Sequence, residues 1–80
     1  MYGKPNIMIM TLLRNHLRQH RARLALTQQG LATLVGVRRQ TILAIEKGQF
    51  TPSTLLAFKL ARALGMRVDE LFELTTDGGD

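Results

Sequence analysis

Arg38, Arg39 and Gln40 follow one another directly after a glycine-containing turn, and their side chains carry paired hydrogen-bonding groups. A guanidinium can donate two hydrogen bonds to guanine in the DNA major groove, and an amide can pair in the same way with adenine. Such contacts require side chains that project together from one rigid element. The residues around them must therefore form a helix whose apolar face is turned inward.

The segment 26–47, LTQQGLATLVGVRRQTILAIEK, has the pattern of two short helices joined by a sharp turn. Thr27 is placed to cap the first helix through its side-chain oxygen, and Gly36 can end that helix in the left-handed conformation. Ile42 and Ile45 recur at helical spacing and form the inward face of the second helix. The pattern predicts a helix-turn-helix whose second helix recognises DNA.

The run from Leu26 to Leu74 resembles the Xre/Cro-type, lambda-repressor-like helix-turn-helix family, and most closely its small stand-alone regulators. The motifs that carry the resemblance are, in chain order, LTQ, LVGV followed by RQTI, AIEKG, TPS, LAFKLARALG and VDELF. The match covers about residues 15–74. The resemblance implies an all-α, five-helix lambda-repressor-like DNA-binding domain, to which the small members often add a short two-stranded antiparallel sheet formed by the termini.

Three segments are expected along the chain. Residues 1–14 form an amino-terminal leader with a short strand. Residues 15–74 form the DNA-binding domain, with its helix-turn-helix over residues 28–47, and residues 75–80 form an acidic flexible tail. The strand candidate is the apolar run Ile7–Leu13. It either pairs with Phe72–Thr76 or extends the first helix. Phe50, a lone aromatic residue beside a proline, is expected to fill the core.

Arg21 is a charged residue on the predicted inward face of the first helix, which spans about Asn15–Ala25 and also turns Leu17 and Leu24 inward. A charge on an inward face is costly unless it is paired. Glu46 stands where the family carries an acidic partner. We therefore expect an Arg21–Glu46 ion pair that joins the first and third helices, the alternative being that both side chains point to water.

Carried over position by position, the resemblance implies roles in DNA binding and in dimer formation. The base-contacting residues would be Arg38, Arg39, Gln40 and Ala44. The phosphate-contacting residues would be Thr27, Gln28, Thr41, Lys47 and Gln49. The dimer interface would contain Val68, Leu71, Phe72 and Leu74. The sequence departs from the family's pattern at Gly30, Arg38 and Leu43, so the operator of a relative cannot be transferred to this protein.

The charge of the chain is unevenly distributed. The formal net charge is +5, and all eleven Lys and Arg lie in residues 1–67, where Glu46 is the only acid. A basic body of this kind is typical of proteins that bind polyanions. The absence of cysteine excludes disulfides, thiolate zinc sites and a cysteine nucleophile. His16 and His20 are four residues apart but lack a third ligand nearby, so we expect surface histidines and no metal site.

The expected function is sequence-specific binding of double-stranded DNA by a homodimeric transcriptional regulator in the cytoplasm, most simply a repressor at a near-palindromic operator. The alternative is an antitoxin-like module that mainly binds a partner protein and binds DNA secondarily. The sequence contains no constellation of catalytic residues. We therefore expect no enzymatic activity, no cofactor and no small-molecule ligand. No apolar run approaches the length of a membrane span.

Overall fold

The computed structural model describes residues 11–76, which form five helices and one antiparallel pair of strands. In chain order the elements are β1 (Thr11–Asn15), α1 (Leu17–Arg23), α2 (Gln28–Val35), α3 (Arg39–Glu46), α4 (Thr54–Ala63), α5 (Val68–Leu71) and β2 (Phe72–Thr76). The predicted five-helix architecture with a small terminal sheet is therefore confirmed. Within this range no helix combines the length and apolar character needed to cross a membrane.

The two strands join the ends of the described chain. Their register sets Thr11 opposite Thr76 and Asn15 opposite Phe72. The predicted strand Ile7–Leu13 is thus a strand over its last three residues, and its first four residues lie outside the described part of the chain. Of its two alternatives, pairing with the carboxy-terminal segment is the one observed.

The sheet crosses both predicted domain boundaries. Strand β1 continues past residue 14, and β2 continues past residue 74 into the segment expected to be a flexible tail. Both strands therefore belong to the same unit as the helices. The remainder of the predicted leader and tail, residues 1–10 and 77–80, lies outside the described residues.

One apolar core receives side chains from all five helices and from β2. Helix α2 packs against both α3 and α4, so the helix-turn-helix is built directly on this core. Burying these side chains removes their apolar surface from water, which is the main term that favours the fold. The core residues are Leu17, Leu31, Ala32, Val35, Ile42, Ile45, Leu56, Leu60, Ala61, Leu64, Leu71 and Phe72.

Helix α2 begins and ends as predicted. The side-chain oxygen of Thr27 accepts a backbone N–H of the first turn at 2.8 Å. At the other end Gly36 adopts a φ of 76°, and the N–H of Val37 donates to the carbonyl oxygen of Ala32 at 3.0 Å. These bonds satisfy the end of α2 and turn the chain toward α3. Ser53 caps α4 through its side chain, again as expected.

Helix α1 begins two residues later and ends two residues earlier than predicted. Asn15 lies in β1, yet its Oδ1 accepts the N–H of Leu17 at 3.2 Å and so still serves the start of the helix. Leu24 is 42% exposed, so its predicted inward position is wrong. The chain reverses at Ala25, whose φ is 56°, and the partly buried Leu26 packs against the core instead.

Two further apolar residues, Phe50 and Leu71, are exposed or buried differently from the expectation, and for Phe50 the prediction of a core position is wrong. Phe50 is 48% exposed and does not belong to the core. Leu71, expected at a dimer interface, is fully buried within the protomer, so it can support such an interface only from beneath it. Its position follows from the shortness of α5, because this helix of four residues runs directly into β2 and presents Leu71 to the core.

Candidate nucleic-acid interface

Helix α3 exposes a row of side chains on the face opposite its two buried isoleucines. Arg39 and Gln40 are exposed in the first turn, and Ala44 is half-buried one turn later. Arg38 occupies the N-cap position but forms no side-chain capping hydrogen bond, as expected from its departure from the family's pattern. Its guanidinium is therefore not used to cap the helix. We call these four residues the recognition surface.

The orientation of α3 is held by a largely buried ion pair. Arg21 Nε donates to Glu46 Oε2 at 2.8 Å, and Arg21 Nη2 donates to Glu46 Oε1 at 3.2 Å. The two side chains are only 15% and 7% exposed. The third guanidinium nitrogen, Nη1, donates to the carbonyl oxygen of Leu26 at 2.9 Å. The ion pair expected from the sequence is thus present, in the two-pronged geometry that gives such pairs their strength.

Glu46 also binds the first residue of α2. Gln28 Nε2 donates to Glu46 Oε1 at 3.1 Å. One carboxylate on α3 thereby receives hydrogen bonds from side chains on α1 and on α2. Because a buried charge is tolerated only when its hydrogen-bonding capacity is satisfied, this network specifies one arrangement of the three helices.

The five residues expected to meet phosphates lie at the start of α2, on α3 and just beyond α3. Thr27 uses its oxygen as a cap acceptor, and Gln28 uses its amide group for Glu46. Thr41 is half-buried on α3, whereas Lys47 and Gln49 are exposed after its end. In the contacts of residues 11–76, each of the five retains at least one polar hydrogen that a phosphate oxygen can accept.

Two exposed arginines that the sequence analysis missed lie near Lys47. Arg18 on α1 lines a cleft together with Gln28 and Lys47, and Arg14 on β1 lines a second cleft with Lys47. Neither arginine forms a salt bridge within the described residues. Arg18 precedes Arg21 by one helical turn, so helical spacing could have revealed it. Arg14 could not be found this way, because its position depends on strand pairing.

Among the described residues, Glu46 is the only acid on α3, and its carboxylate is bound by Arg21 and Gln28 on the inner side of the helix. Apart from Glu46, the acids between residues 11 and 76 lie in α5 and β2. Asp69 forms an exposed salt bridge with Arg67 at 3.0 Å, and this contact raises the pKa of the Arg67 guanidinium. The recognition surface therefore keeps its positive charge without a neutralising carboxylate in the described contacts.

Both histidine side chains contact other side chains. His16 Nε2 lies 2.9 Å from Glu73 Oε1, and Arg23 Nε lies 3.3 Å from the Nδ1 atom of His20. No cluster of three side chains suited to hold a metal ion occurs among residues 11–76.

A second feature of the surface is an apolar groove beside the sheet. Phe58 and Leu74, which line it, are 59% and 74% exposed, and the partly buried Val68 at the start of α5 lines it as well. Arg67, Asp69 and Glu73 contribute polar groups. We call this the sheet-side groove; its apolar residues are Leu13, Phe58, Met66, Val68, Phe72 and Leu74. Three of the four residues expected at a dimer interface thus line it.

The capped helix α2, the glycine turn and the exposed polar face of α3 together define a helix-turn-helix domain. A family model described as Helix-turn-helix matches residues 17–71. The chain belongs to this family, in its Xre, lambda-repressor-like branch.

Relatives and solved structures agree on the class of protein. An uncharacterized HTH-type transcriptional regulator of Methanothermobacter thermautotrophicus is 51% identical over 67 residues, which are 82% of this chain and 97% of the relative. The HTH-type regulator YgzD of Bacillus subtilis is 44% identical over 78% of this chain and 94% of its own. The restriction-modification controller protein C.AhdI of Aeromonas hydrophila superposes with a TM-score of 0.64 at 37% identity, over 68% of this chain and 82% of that chain. The protein is a transcriptional regulator with a helix-turn-helix DNA-binding domain.

Proposed function

We propose that the protein is a homodimeric repressor that binds a near-palindromic operator in double-stranded DNA, with α3 lying in the major groove. The observation that carries the proposal is the row of Arg39 and Gln40 on the exposed face of a helix that Glu46 and its two partners hold in place. Groups that are oriented before binding lose little freedom when they meet a base edge.

In this proposal the recognition surface contacts base edges. Arg39 donates two hydrogen bonds to guanine, and Gln40 pairs with adenine. Arg38 and Ala44 meet the neighbouring base edges. The expected phosphate contacts are Thr27, Gln28, Thr41, Lys47 and Gln49, to which we add Arg14 and Arg18 because of their position beside Lys47. These contacts supply affinity and register without sequence information.

The sheet-side groove is proposed to be the dimer interface. Its exposed Phe58 and Leu74 make an apolar patch that one protomer leaves in contact with water. The bordering polar residues carry both signs, so in a twofold arrangement Arg67 of one patch can meet Asp69 or Glu73 of the other. In such a dimer the recognition helices should lie about 34 Å apart, which matches successive major grooves.

Repression follows from occupancy, since a dimer bound across a promoter excludes other proteins from that DNA. The action is proposed to take place in the cytoplasm. The proposal includes no catalytic step, no cofactor and no small-molecule effector.

The decisive experiment measures binding of the purified protein to genomic DNA fragments, including its own upstream region, over a series of salt concentrations. The proposal expects a few fragments to bind far more tightly than the rest, with a twofold-symmetric footprint and a steep salt dependence. Arg39→Ala should abolish the preference. Arg62→Ala, which removes an exposed cation from the last turn of α4, should preserve it.

Equal, weak binding of the wild type to all fragments would overturn the proposal, because the basic residues would then attract DNA without reading it. In that case the partner of the protein is to be sought on the sheet-side groove, as an antitoxin-like function would require.

A further inference from the structure

Phe50 is an exposed aromatic residue that neither the core nor the sheet-side groove uses. Almost half of its surface is accessible to water, and it lines a shallow pocket against α3. The other residues of this pocket are Gln40, Thr41, Ala44 and Gln49. The pocket therefore adjoins two of the four residues of the recognition surface.

The backbone after α3 holds Phe50 in this position. Gly48 has a φ of 73°, its N–H donates to the carbonyl oxygen of Ile45, and the N–H of Gln49 donates to the carbonyl oxygen of Ala44, both at 2.9 Å. This pair of bonds turns the chain back along the helix that it has just left. Pro52 then restricts the residue before it to extended conformations. Phe50 thus lies on a short, constrained segment between two fixed points.

The chemistry of the pocket is apolar and adjoins an amide. Phe50, Ala44 and Thr41 line the pocket and carry apolar groups that can contact a small apolar group, while Gln40, which also lines it, carries an amide capable of paired hydrogen bonds. Only thymine, among the four bases, exposes a methyl group in the major groove, and its partner adenine presents the donor and acceptor that an amide matches. The two halves of the pocket therefore fit the two features that an A·T pair shows in this groove.

We infer that this pocket receives the C5-methyl group of one thymine in each half-site of the operator, and that Phe50 is a specificity-determining residue for that base. The inference rests on the proposed function, since it needs α3 in the major groove. It extends the recognition surface beyond the helix to a residue of the following loop. It also gives a role to an aromatic side chain that would otherwise only expose apolar surface to water.

The test uses an operator selected from the genomic fragments, in which each thymine is replaced singly by deoxyuridine. This exchange removes the methyl group and leaves all hydrogen-bonding groups in place. Dissociation constants are measured for the wild type, for Phe50→Ala and for Leu55→Ala. Leu55 is a matched control, because it is a large apolar residue, 67% exposed, on α4 and away from the pocket.

For the wild type, one thymine per half-site should show about fourfold weaker binding after removal of the methyl group, the change that corresponds to withdrawing one methyl group from water. Phe50→Ala should bind the thymine operator more weakly than the wild type does. The variant should also bind the thymine and deoxyuridine operators with the same affinity. Leu55→Ala should retain the wild-type pattern.

The inference fails if no thymine responds, or if Phe50→Ala still loses affinity at the same thymine. Both results require that the wild type still selects its operator, so the proposed function would stand. If the wild type selects no operator at all, the proposed function and this inference fall together. A general loss of folding in Phe50→Ala is separated by its circular dichroism spectrum, and Phe50→Leu, which keeps apolar contacts, should restore part of the methyl dependence.

Discussion

The recognition surface and the sheet-side groove are built on the same core from different materials. The recognition surface consists of three polar side chains and one alanine at the N-cap and on the outer face of α3, and the partly buried Glu46 carboxylate with its two partners fixes the direction of that helix. The sheet-side groove consists of apolar side chains from β1, α4, α5 and β2 and from the loop before α5, and its polar groups are exposed. The first surface is arranged for directional hydrogen bonds, whereas the second offers apolar area that requires no exact direction.

This difference teaches where each surface obtains its specificity. Hydrogen bonds to base edges depend on angle and distance, so the helix that carries the recognition surface must be held rigidly. The hydrogen bonds of Glu46 with Arg21 and Gln28, which we call the Glu46 network, hold it in this way. Apolar association depends mainly on the area withdrawn from water, so the groove can tolerate small adjustments. Substitutions in the Glu46 network should therefore change stability, those in the sheet-side groove should change the oligomeric state, and those in the recognition surface should change DNA selectivity.

The largest effect is expected from Glu46→Ala. It leaves the Arg21 guanidinium, which is 15% exposed, without its carboxylate partner and also frees Gln28. Breaking a buried pair by removing one member costs about 3–5 kcal/mol. Urea denaturation of the variant should show this loss of stability, and DNA selection should weaken with it.

Asp69→Ala serves as the control for Glu46→Ala. It breaks the Arg67–Asp69 pair, whose side chains are 77% and 68% exposed. Exposed pairs contribute little because solvent screens them. Equal shifts of the denaturation midpoint in the two variants would contradict the idea that the Glu46 network is the foundation of α3.

The next largest effect is expected from Leu74→Asp in the sheet-side groove. In a symmetric dimer the substitution acts twice, and each copy loses the burial of a leucine, worth about 1.5 kcal/mol or more. The dimer should be weakened by about 3 kcal/mol, which analytical ultracentrifugation detects as dissociation to monomers. Each protomer should remain folded, because Leu74 is 74% exposed in it.

Leu55→Asp is the matched control for Leu74→Asp. Leu55 is nearly as exposed and lies on α4, but it does not line the sheet-side groove. It should leave the oligomeric state unchanged. If Leu74→Asp remained dimeric while Leu55→Asp dissociated, the interface would have to be moved to the other face of α4.

Local signals in the sequence predicted the recognition surface and its foundation. The caps at Thr27 and Ser53, the turn at Gly36 and the pairing of Arg21 with Glu46 all depend on short-range spacing or on a resemblance that fixes relative positions. Such features lie within one motif whose geometry varies little. Their arrangement could therefore be predicted before the structure was known.

The sheet-side groove and the fate of single apolar residues depended on long-range contacts. Leu71 was expected at a dimer interface and lies in the core of the protomer, and Phe50 was expected in the core but is exposed. Hydrophobicity alone does not distinguish these outcomes, because both residues follow a turn and lack a long periodic context. Arg14 was missed for a related reason, since its position beside Lys47 depends on the pairing of two strands at opposite ends of the domain.

A smaller effect separates base contacts from phosphate contacts within the DNA-binding region. The wild type should bind its operator more tightly than a DNA in which the contacted adenine is replaced. Gln40→Ala should reduce this difference in binding free energy by about 1–3 kcal/mol. Lys47→Ala should weaken binding to all DNA sequences alike and lower the magnitude of the salt slope by about one. Dissociation constants on both DNAs at several salt concentrations distinguish the two. A change of selectivity in Lys47→Ala equal to that in Gln40→Ala would contradict the assigned roles.

The smallest effect concerns strain next to the foundation. Ala25, two residues after the end of α1, has a φ of 56°, a conformation that costs an alanine about 1 kcal/mol more than a glycine. Gly36 ends α2 in the same conformation with a φ of 76°, and a Cβ atom added there would meet nothing within 4 Å. Ala25→Gly should therefore raise the thermal midpoint, by an amount that the greater freedom of glycine in the unfolded chain reduces. Gly36→Ala should lower the thermal midpoint, because a left-handed alanine reduces the free energy of unfolding by about 1 kcal/mol even though its Cβ atom meets no neighbour. If the thermal midpoints of Ala25→Gly and Gly36→Ala shifted in the same direction, backbone conformation would not decide stability at these two turns. The rigidity of α3 would then depend on the Glu46 network alone.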